Sequence, residues 1–143
     1  MSKEFDKCIE KNKLTKFSRG YDVLQSKLKE AIQDLNDAKE GYVREKYKWT
    51  TIQSYYAMFN AGNAMLMKHG YREKNSHYCL IVGIKELYVK TGLLDISHIE
   101  AIQKGKSLRE AASYHGEWSK KDCKELLDEA AEFIIIAEKI LKK

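Results

Sequence analysis

Apolar residues recur every three or four positions along most of the 143-residue chain, the spacing that places them on one face of an α-helix. The first such stretch covers about residues 21–40, and its apolar positions are Leu24, Leu28, Ala31, Leu35 and Ala38. Similar patterns predict helices at about residues 47–68 and 77–90, a fourth from Asp95 or Ser97 toward Gly116, and a fifth that opens at Ser119. No stretch alternates between apolar and polar residues as a strand does, so the pattern predicts an all-α bundle of five main helices.

The second predicted helix combines aromatic and small residues. Its expected core comprises Ile52, Tyr55, Tyr56, Phe59, Ala64 and Leu66, and we interpret these aromatic side chains as packing residues rather than as a surface that stacks on bases. Glycine disfavours a helix interior by roughly 1 kcal/mol relative to alanine. Gly62, with Ala57 and Ala61 nearby, therefore predicts the close approach of a neighbouring helix.

The whole chain, residues 1–143, is predicted to be a single domain, because its length is typical of one and no shift in composition divides it. Residues 1–19 are rich in charge, and we expect a short, mobile helix at about residues 2–16. This segment has no apolar core of the kind found in secretory signals. The sequence also contains no run of about 18 uncharged apolar residues, the pattern that would predict a membrane span.

Composition narrows the class of protein further. Hydrophobic residues make up 43% of the chain, charged residues make up 33%, and proline is absent, which excludes disordered and collagen-like chains. The three cysteines, Cys8, Cys79 and Cys123, are widely spaced and odd in number. We therefore expect free thiols rather than a disulfide framework or a cysteine zinc site, and a cytoplasmic location.

The net charge of +5 permits a phosphate-bearing partner without requiring one. The positive charge is concentrated at residues 104–109, which contain Lys104, Lys106 and Arg109 and no acidic residue; the next acid is Glu110.

The sequence contains no signature of a metal site or of an organic cofactor. It lacks a glycine-rich phosphate-binding loop, a serine nucleophile elbow and a cluster of aspartates that would hold magnesium. No two of the four histidines are four residues apart, the spacing that places two imidazoles on one helix face; they are His69, His77, His98 and His115.

Two arginine–histidine pairs are candidates for chemistry on a phosphodiester. Arg72 and His77 flank a polar joint between two predicted helices, and Arg109 precedes His115 in the fourth. Imidazole can accept a proton near neutral pH, and guanidinium can stabilise the charge that develops on phosphate. Residues five or six apart lie about 120–140° apart around a helix. Such residues do not share a helix face, so one site forms more easily if the helix frays at Gly116 or if two copies of the chain face each other across a two-fold axis. Surface ion pairs and turn positions are the alternative roles.

Several segments follow one another in an order that is characteristic of a known family. They are Ser54–Gly70 (SYYAMFNAGNAMLMKHG), Lys74–His77, Glu86–Leu94, Leu108–Tyr114 and Ala130–Phe133. Together they resemble the HEPN family, the higher eukaryote and prokaryote nucleotide-binding domain, over about residues 20–140.

The resemblance implies an up-and-down helical bundle that usually dimerises. Many members are paired with a small nucleotidyltransferase as toxin and antitoxin, and active members are metal-independent ribonucleases with an Arg–His motif at the dimer interface. Arg109 and His115, with five residues between them, fit that motif. His115 would accept the proton of a ribose 2′-hydroxyl, and Arg109 would stabilise the phosphorane. The candidates for substrate contacts are Lys104, Lys106, Tyr114, Arg72 and His77.

The motif also departs from the family pattern. Glu110 follows Arg109 where active members often have an amide or aspartate, and Tyr114 precedes His115 where the family commonly places a tyrosine two residues after the histidine. Three functions therefore remain open: an RNA-cleaving toxin, a non-catalytic subunit that binds a nucleotide or a partner, or a purely structural helical adaptor that oligomerises.

Overall fold

The computed structural model describes residues 1–142 and confirms the all-α class. The helices are α1 (Lys3–Glu10), α2 (Gly20–Val43), α3 (Tyr47–Lys68), α4 (His77–Ile84), α5 (Ile96–Tyr114) and α6 (Lys120–Leu141). Two short strands, β1 (Leu14–Lys16) and β2 (Tyr71–Glu73), complete the fold.

Helices α2 and α3 form an antiparallel hairpin along their whole length. A side chain at Gly20, where α2 begins, would meet the backbone of Met67 near the end of α3, and one at Gly41 would meet Thr50 near the start of α3. The Thr50 hydroxyl donates a hydrogen bond to the carbonyl of Ala38 across this hairpin. All five apolar positions predicted for α2 are buried, which confirms its periodicity.

Helix α3 is the centre of the bundle, and its glycine has the predicted role. A Cβ atom on Gly62 would lie 2.9 Å from Cδ1 of Ile84, so glycine lets α4 approach α3 closely. On another side, a Cβ atom on Gly105 would lie 2.9 Å from Cε of Met58, which explains a glycine in the middle of α5. Of the residues predicted to form the core of α3, Tyr55, Ala64 and Leu66 are buried, Ile52 and Phe59 are half-buried, and Tyr56 remains 39% exposed.

Helix α4 continues into a π-helical turn, residues Lys85–Val89, which positions Tyr88 inside the bundle. The buried Tyr88 hydroxyl donates to the carbonyl of Met65 at 2.6 Å, which ties the turn to α3. Gly92 then takes the left-handed conformation that ends the segment, as its sequence context predicts. The side chains of Asp95 and Ser119 cap α5 and α6 by accepting hydrogen bonds from backbone N–H groups.

The sheet is a correction to the prediction that the chain has no strands. Strands β1 and β2 pair antiparallel, with Leu14 opposite Glu73 and Lys16 opposite Tyr71. Each strand has three residues, which is too short to produce a recognisable alternation of apolar and polar positions.

The prediction of free thiols is wrong for Cys8 and Cys79, because these residues form a disulfide that joins α1 to α4. They are 71 residues apart in sequence, and only folding brings them together. The disulfide removes the cysteine-based argument for a reducing compartment. It also joins α1 to the bundle, where Phe5 is buried, so the N-terminal helix is docked rather than detached. Cys123 is a free, buried thiol whose pKa is raised by burial.

None of the helices within residues 1–142 is both long enough and apolar enough to span a membrane.

Candidate functional site around Arg109

Arg109 lies in a cluster of tyrosines where α5 crosses α3. The carbon at the centre of its guanidinium is 5.4 Å from the ring centre of Tyr55, 5.7 Å from that of Tyr56 and 5.5 Å from that of Tyr114. Its Nη1 also donates to the Tyr114 hydroxyl at 3.1 Å. Aromatic faces attract cations, so these contacts fix the orientation of the guanidinium.

The close approach of α5 to α3 creates this cluster. A Cβ atom on Gly105, one helical turn before Arg109, would lie 3.4 Å from Cδ1 of Tyr55, in van der Waals contact with the ring. Tyr55 is 2% exposed and Tyr114 is 69% exposed, so the guanidinium lies between the buried core and the surface.

His77 joins the same cluster through Tyr55. The Tyr55 hydroxyl and Nδ1 of His77 are 2.8 Å apart, and their ring centres are 5.8 Å apart. We define the Arg109 cluster as Arg109, Tyr55, Tyr56, Tyr114 and His77. The Tyr55–His77 contact joins residues 22 positions apart on different helices, so neither a helical period nor a motif spacing reveals it.

Burial sets the ionisation of the inner part of the cluster. It lowers the pKa of His77 to about 4, and the positive charges of Lys106 and Arg109 act in the same direction, against the negative charge of Glu110. Burial also raises the pKa of Tyr55 to about 12, although Arg109 opposes the shift. At neutral pH His77 is therefore an uncharged imidazole beside a protonated phenol.

His115 occupies a different environment from His77. It is the C-cap residue of α5, its side chain is exposed, and its backbone N–H donates to the carbonyl of Ala111. Gly116 follows in the left-handed conformation and turns the chain away from the helix. Within residues 1–142, the contacts of the Arg109 guanidinium involve tyrosines and do not include His115.

The remaining candidates are distributed over several surfaces. Lys104 pairs with Glu125 at 3.2 Å and with Glu129 at 3.1 Å, so it joins α5 to α6. Lys106 is half-buried and its charge acts on His77. Arg72 projects from β2 with its guanidinium carbon 4.5 Å from the ring centre of Phe17. The structure thus associates His77 with Arg109 through Tyr55, and Arg72 with the N-terminal part of the chain.

We found no group of three or more His, Cys, Asp and Glu side chains suited to holding a metal ion within the described part of the chain, residues 1–142. The donors that the cluster offers are instead hydroxyls, one imidazole and a guanidinium. This set suits the recognition of an anion.

The lowered pKa of His77 predicts a specific acid sensitivity. The pKa of His77 is about 4 in the folded chain, against the ordinary histidine pKa of 6.5. At pH values between these two, the unfolded chain binds a proton that the folded chain does not. Acidification from pH 7 to pH 5 should therefore lower the wild-type free energy of unfolding by up to about 2 kcal/mol more than that of a His77→Gln variant. Urea denaturation at both pH values measures this difference, and an equal loss in the two proteins would contradict it.

Comparison with known proteins places this architecture in a family. Residues 24–141 match the family model described as the HEPN domain. The chain is 30% identical over 124 residues to a UPF0332 protein of Archaeoglobus fulgidus, in an alignment that covers 85% of this chain and 98% of the relative. Its fold is similar to the crystal structure of TT1696 from Thermus thermophilus, with a TM-score of 0.68, 15% identity, and coverage of 82% of this chain and 97% of the other. Because the family model spans most of the sequence, the expectation drawn from its motifs is confirmed, and the chain belongs to the HEPN family.

Proposed function

We propose that this HEPN protein is a metal-independent endoribonuclease in which Arg109 binds the scissile phosphate. The observation that carries the proposal is the orientation of Arg109, which three tyrosines hold at the edge of the core. The described hydrogen bonds engage only Nη1, and the buried Nε has no partner within residues 1–142. Nη2 likewise makes no described hydrogen bond, so its N–H groups remain available to a phosphate oxygen.

The proposed reaction uses the ribose as its own nucleophile. The 2′-oxygen bonds to phosphorus as the bond from phosphorus to the 5′-oxygen breaks, which leaves a cyclic phosphate and a 5′-hydroxyl. His115 accepts the proton of the 2′-hydroxyl, and water supplies a proton to the departing 5′-oxygen. Arg109 stabilises the charge on the phosphorane, the role for which a fixed guanidinium is suited.

The exposed position of His115 leads us to propose that the active form is a homodimer. Within one chain the described contacts of Arg109 do not include His115. A two-fold axis near the end of α5 would bring the Arg109 and His115 side chains of two protomers into one cleft, because a residue at such an interface meets its symmetry mate. We also propose a nucleotidyltransferase antitoxin as the partner that restrains this activity in the cytoplasm, as the family's paired systems suggest.

A non-catalytic, nucleotide-binding subunit is the second candidate, and the acidic residues favour it. Glu110 directly follows Arg109 and its negative charge acts on His77 and Tyr55. Such a charge repels the backbone of a long RNA more than it repels a single nucleotide. In this case Arg109 would bind the phosphate of the nucleotide and no bond would be cleaved.

Incubation of the full chain with RNA in EDTA separates these functions. The wild-type protein should produce fragments that end in a cyclic phosphate, and a His115→Gln variant should lose at least about 100-fold in rate, since a general base contributes that much or more. His98→Gln, on the same helix but remote from Arg109, is the matched control and should retain the wild-type rate. If a helical, dimeric wild-type protein left RNA intact, the nuclease proposal would be wrong and the binding function would replace it. If His77→Gln abolished cleavage while His115→Gln did not, His77 would be the base.

A further inference from the structure

Both tryptophans of the chain are exposed near the Arg109 cluster. Trp49 in the first turn of α3 is 56% exposed, and Trp118 in the connection between α5 and α6 is 48% exposed. Nζ of Lys48 lies 5.1 Å from the ring centre of Trp49 and 5.8 Å from that of Trp118, so one ammonium group connects the two indoles. Together they line a surface groove of about 340 Å³, the Trp49–Trp118 groove, whose other lining residues are Glu45, Lys46, Lys48 and Tyr47.

The surroundings of this groove carry an excess of positive charge. Residues 45–49 and 117–121 contain four lysines, Lys46, Lys48, Lys120 and Lys121, and two acids, Glu45 and Glu117. Aromatic rings hold several lysines at this end of the bundle: Lys120 lies 5.9 Å from the ring centre of Tyr47, and Lys124 lies 5.7 Å from that of Tyr42. Lys124 also pairs with Asp128, whereas the described ion pairs of residues 1–142 do not involve Lys48 or Lys120.

The groove and the Arg109 cluster lie on neighbouring parts of one surface. Trp49 and Tyr56 are seven residues apart in α3, which places them on the same helix face about 10 Å apart along the axis. On the opposite side, Trp118 shares a small cavity with Leu108 and Ala111, the residues on either side of the Arg109–Glu110 pair in α5. An extended ligand held by Arg109 therefore has a direct path to the indoles.

We infer that the Trp49–Trp118 groove binds unpaired bases of single-stranded RNA, with Lys48 placed to contact the backbone phosphates. Proteins that hold single strands combine aromatic rings, on which bases stack, with a cationic path for the phosphates. The groove offers both, whereas the stacked bases of a duplex cannot reach an indole face. The inference rests on the proposed function only in taking RNA as the ligand, and it assigns a second binding region outside the Arg109 cluster.

Binding of a short, 2′-O-methylated single-stranded RNA of about ten nucleotides tests the groove without cleavage, because the methyl group removes the attacking hydroxyl. Trp49→Ala and Trp118→Ala should each weaken binding by about 5- to 150-fold, the range measured for the loss of one stacked base. Trp118→Phe keeps a flat ring and should lose much less. Lys48→Gln should lower the slope of log affinity against log salt by about 0.7. Circular dichroism checks that each variant is folded.

The possible outcomes separate this inference from the nuclease proposal. Weaker binding by the alanine variants supports the groove even if the wild-type protein cleaves no RNA. Wild-type affinity in a folded Trp49→Ala/Trp118→Ala variant would overturn the inference even if cleavage is observed. An equal loss of affinity for duplex RNA would also overturn it. If the tryptophan variants changed the oligomeric state, measured by light scattering, but bound RNA with wild-type affinity, the groove would be a protein interface and the inference would be wrong.

Discussion

Replacing Arg109 by alanine is expected to lower the rate of RNA cleavage by about 100- to 1,000-fold, the usual effect of removing one preorganised donor to a developing oxyanion. Arg109 is the cation that the tyrosines of α3 and α5 orient, and its described hydrogen bond uses a single donor atom. Loss of the guanidinium therefore removes charge and directed donors together. Single-turnover cleavage in EDTA measures the effect on the chemical step.

Two matched variants separate catalysis from structure. Arg109→Lys retains the charge but not the planar fork, so we expect most of the activity to be lost while the helical content is retained. Arg72→Ala is the control, because Arg72 also lies over an aromatic ring but projects from β2. This variant should cleave RNA at nearly the wild-type rate. If Arg109→Ala cleaved RNA as fast as the wild-type protein, Arg109 would have no catalytic role.

The helices were predictable because their apolar periodicity is local. The predicted bounds of α3, Tyr47 and Lys68, match the structure, and the spacing of apolar residues in α2 identified its buried face. The Ser119 cap was similarly readable, since a serine hydroxyl bonds the backbone N–H three residues later. These features depend on residues within one or two helical turns of each other.

The organisation of the candidate site could not be predicted in the same way, because it depends on contacts between helices. Tyr56 fits an apolar stripe by spacing, yet it lies at the surface beside the guanidinium of Arg109. The distance in sequence between Tyr55 and His77 concealed their hydrogen bond. Trp49 and Trp118 were also missed, although a useful signal was present: they are the only tryptophans, and neither belongs to an apolar stripe.

Loss of the disulfide between Cys8 and Cys79 is expected to lower the free energy of unfolding by more than the acid effect predicted for His77. It closes a loop of 71 residues, and restriction of the unfolded chain by a loop of that length is worth about 4 kcal/mol in the chain-entropy model. A Cys8→Ala/Cys79→Ala variant should therefore unfold at a clearly lower urea concentration than the oxidised wild-type protein. Adding a dithiol reductant should bring the wild-type midpoint close to that of the variant, and it should leave the variant unchanged.

The matched control for this experiment is Cys123→Ala, which retains the disulfide and should retain the response to reductant. Identical wild-type midpoints with and without reductant would show that the disulfide contributes nothing. Reduction should leave both helices docked, because Phe5 of α1 is buried and the start of α4 has two contacts that do not involve the disulfide. Ser76 accepts a hydrogen bond from the backbone N–H of Cys79, and Tyr55 contacts His77. RNA cleavage by the reduced protein below its unfolding midpoint should therefore remain at the oxidised rate, which distinguishes a stabilising disulfide from one that organises the Arg109 cluster.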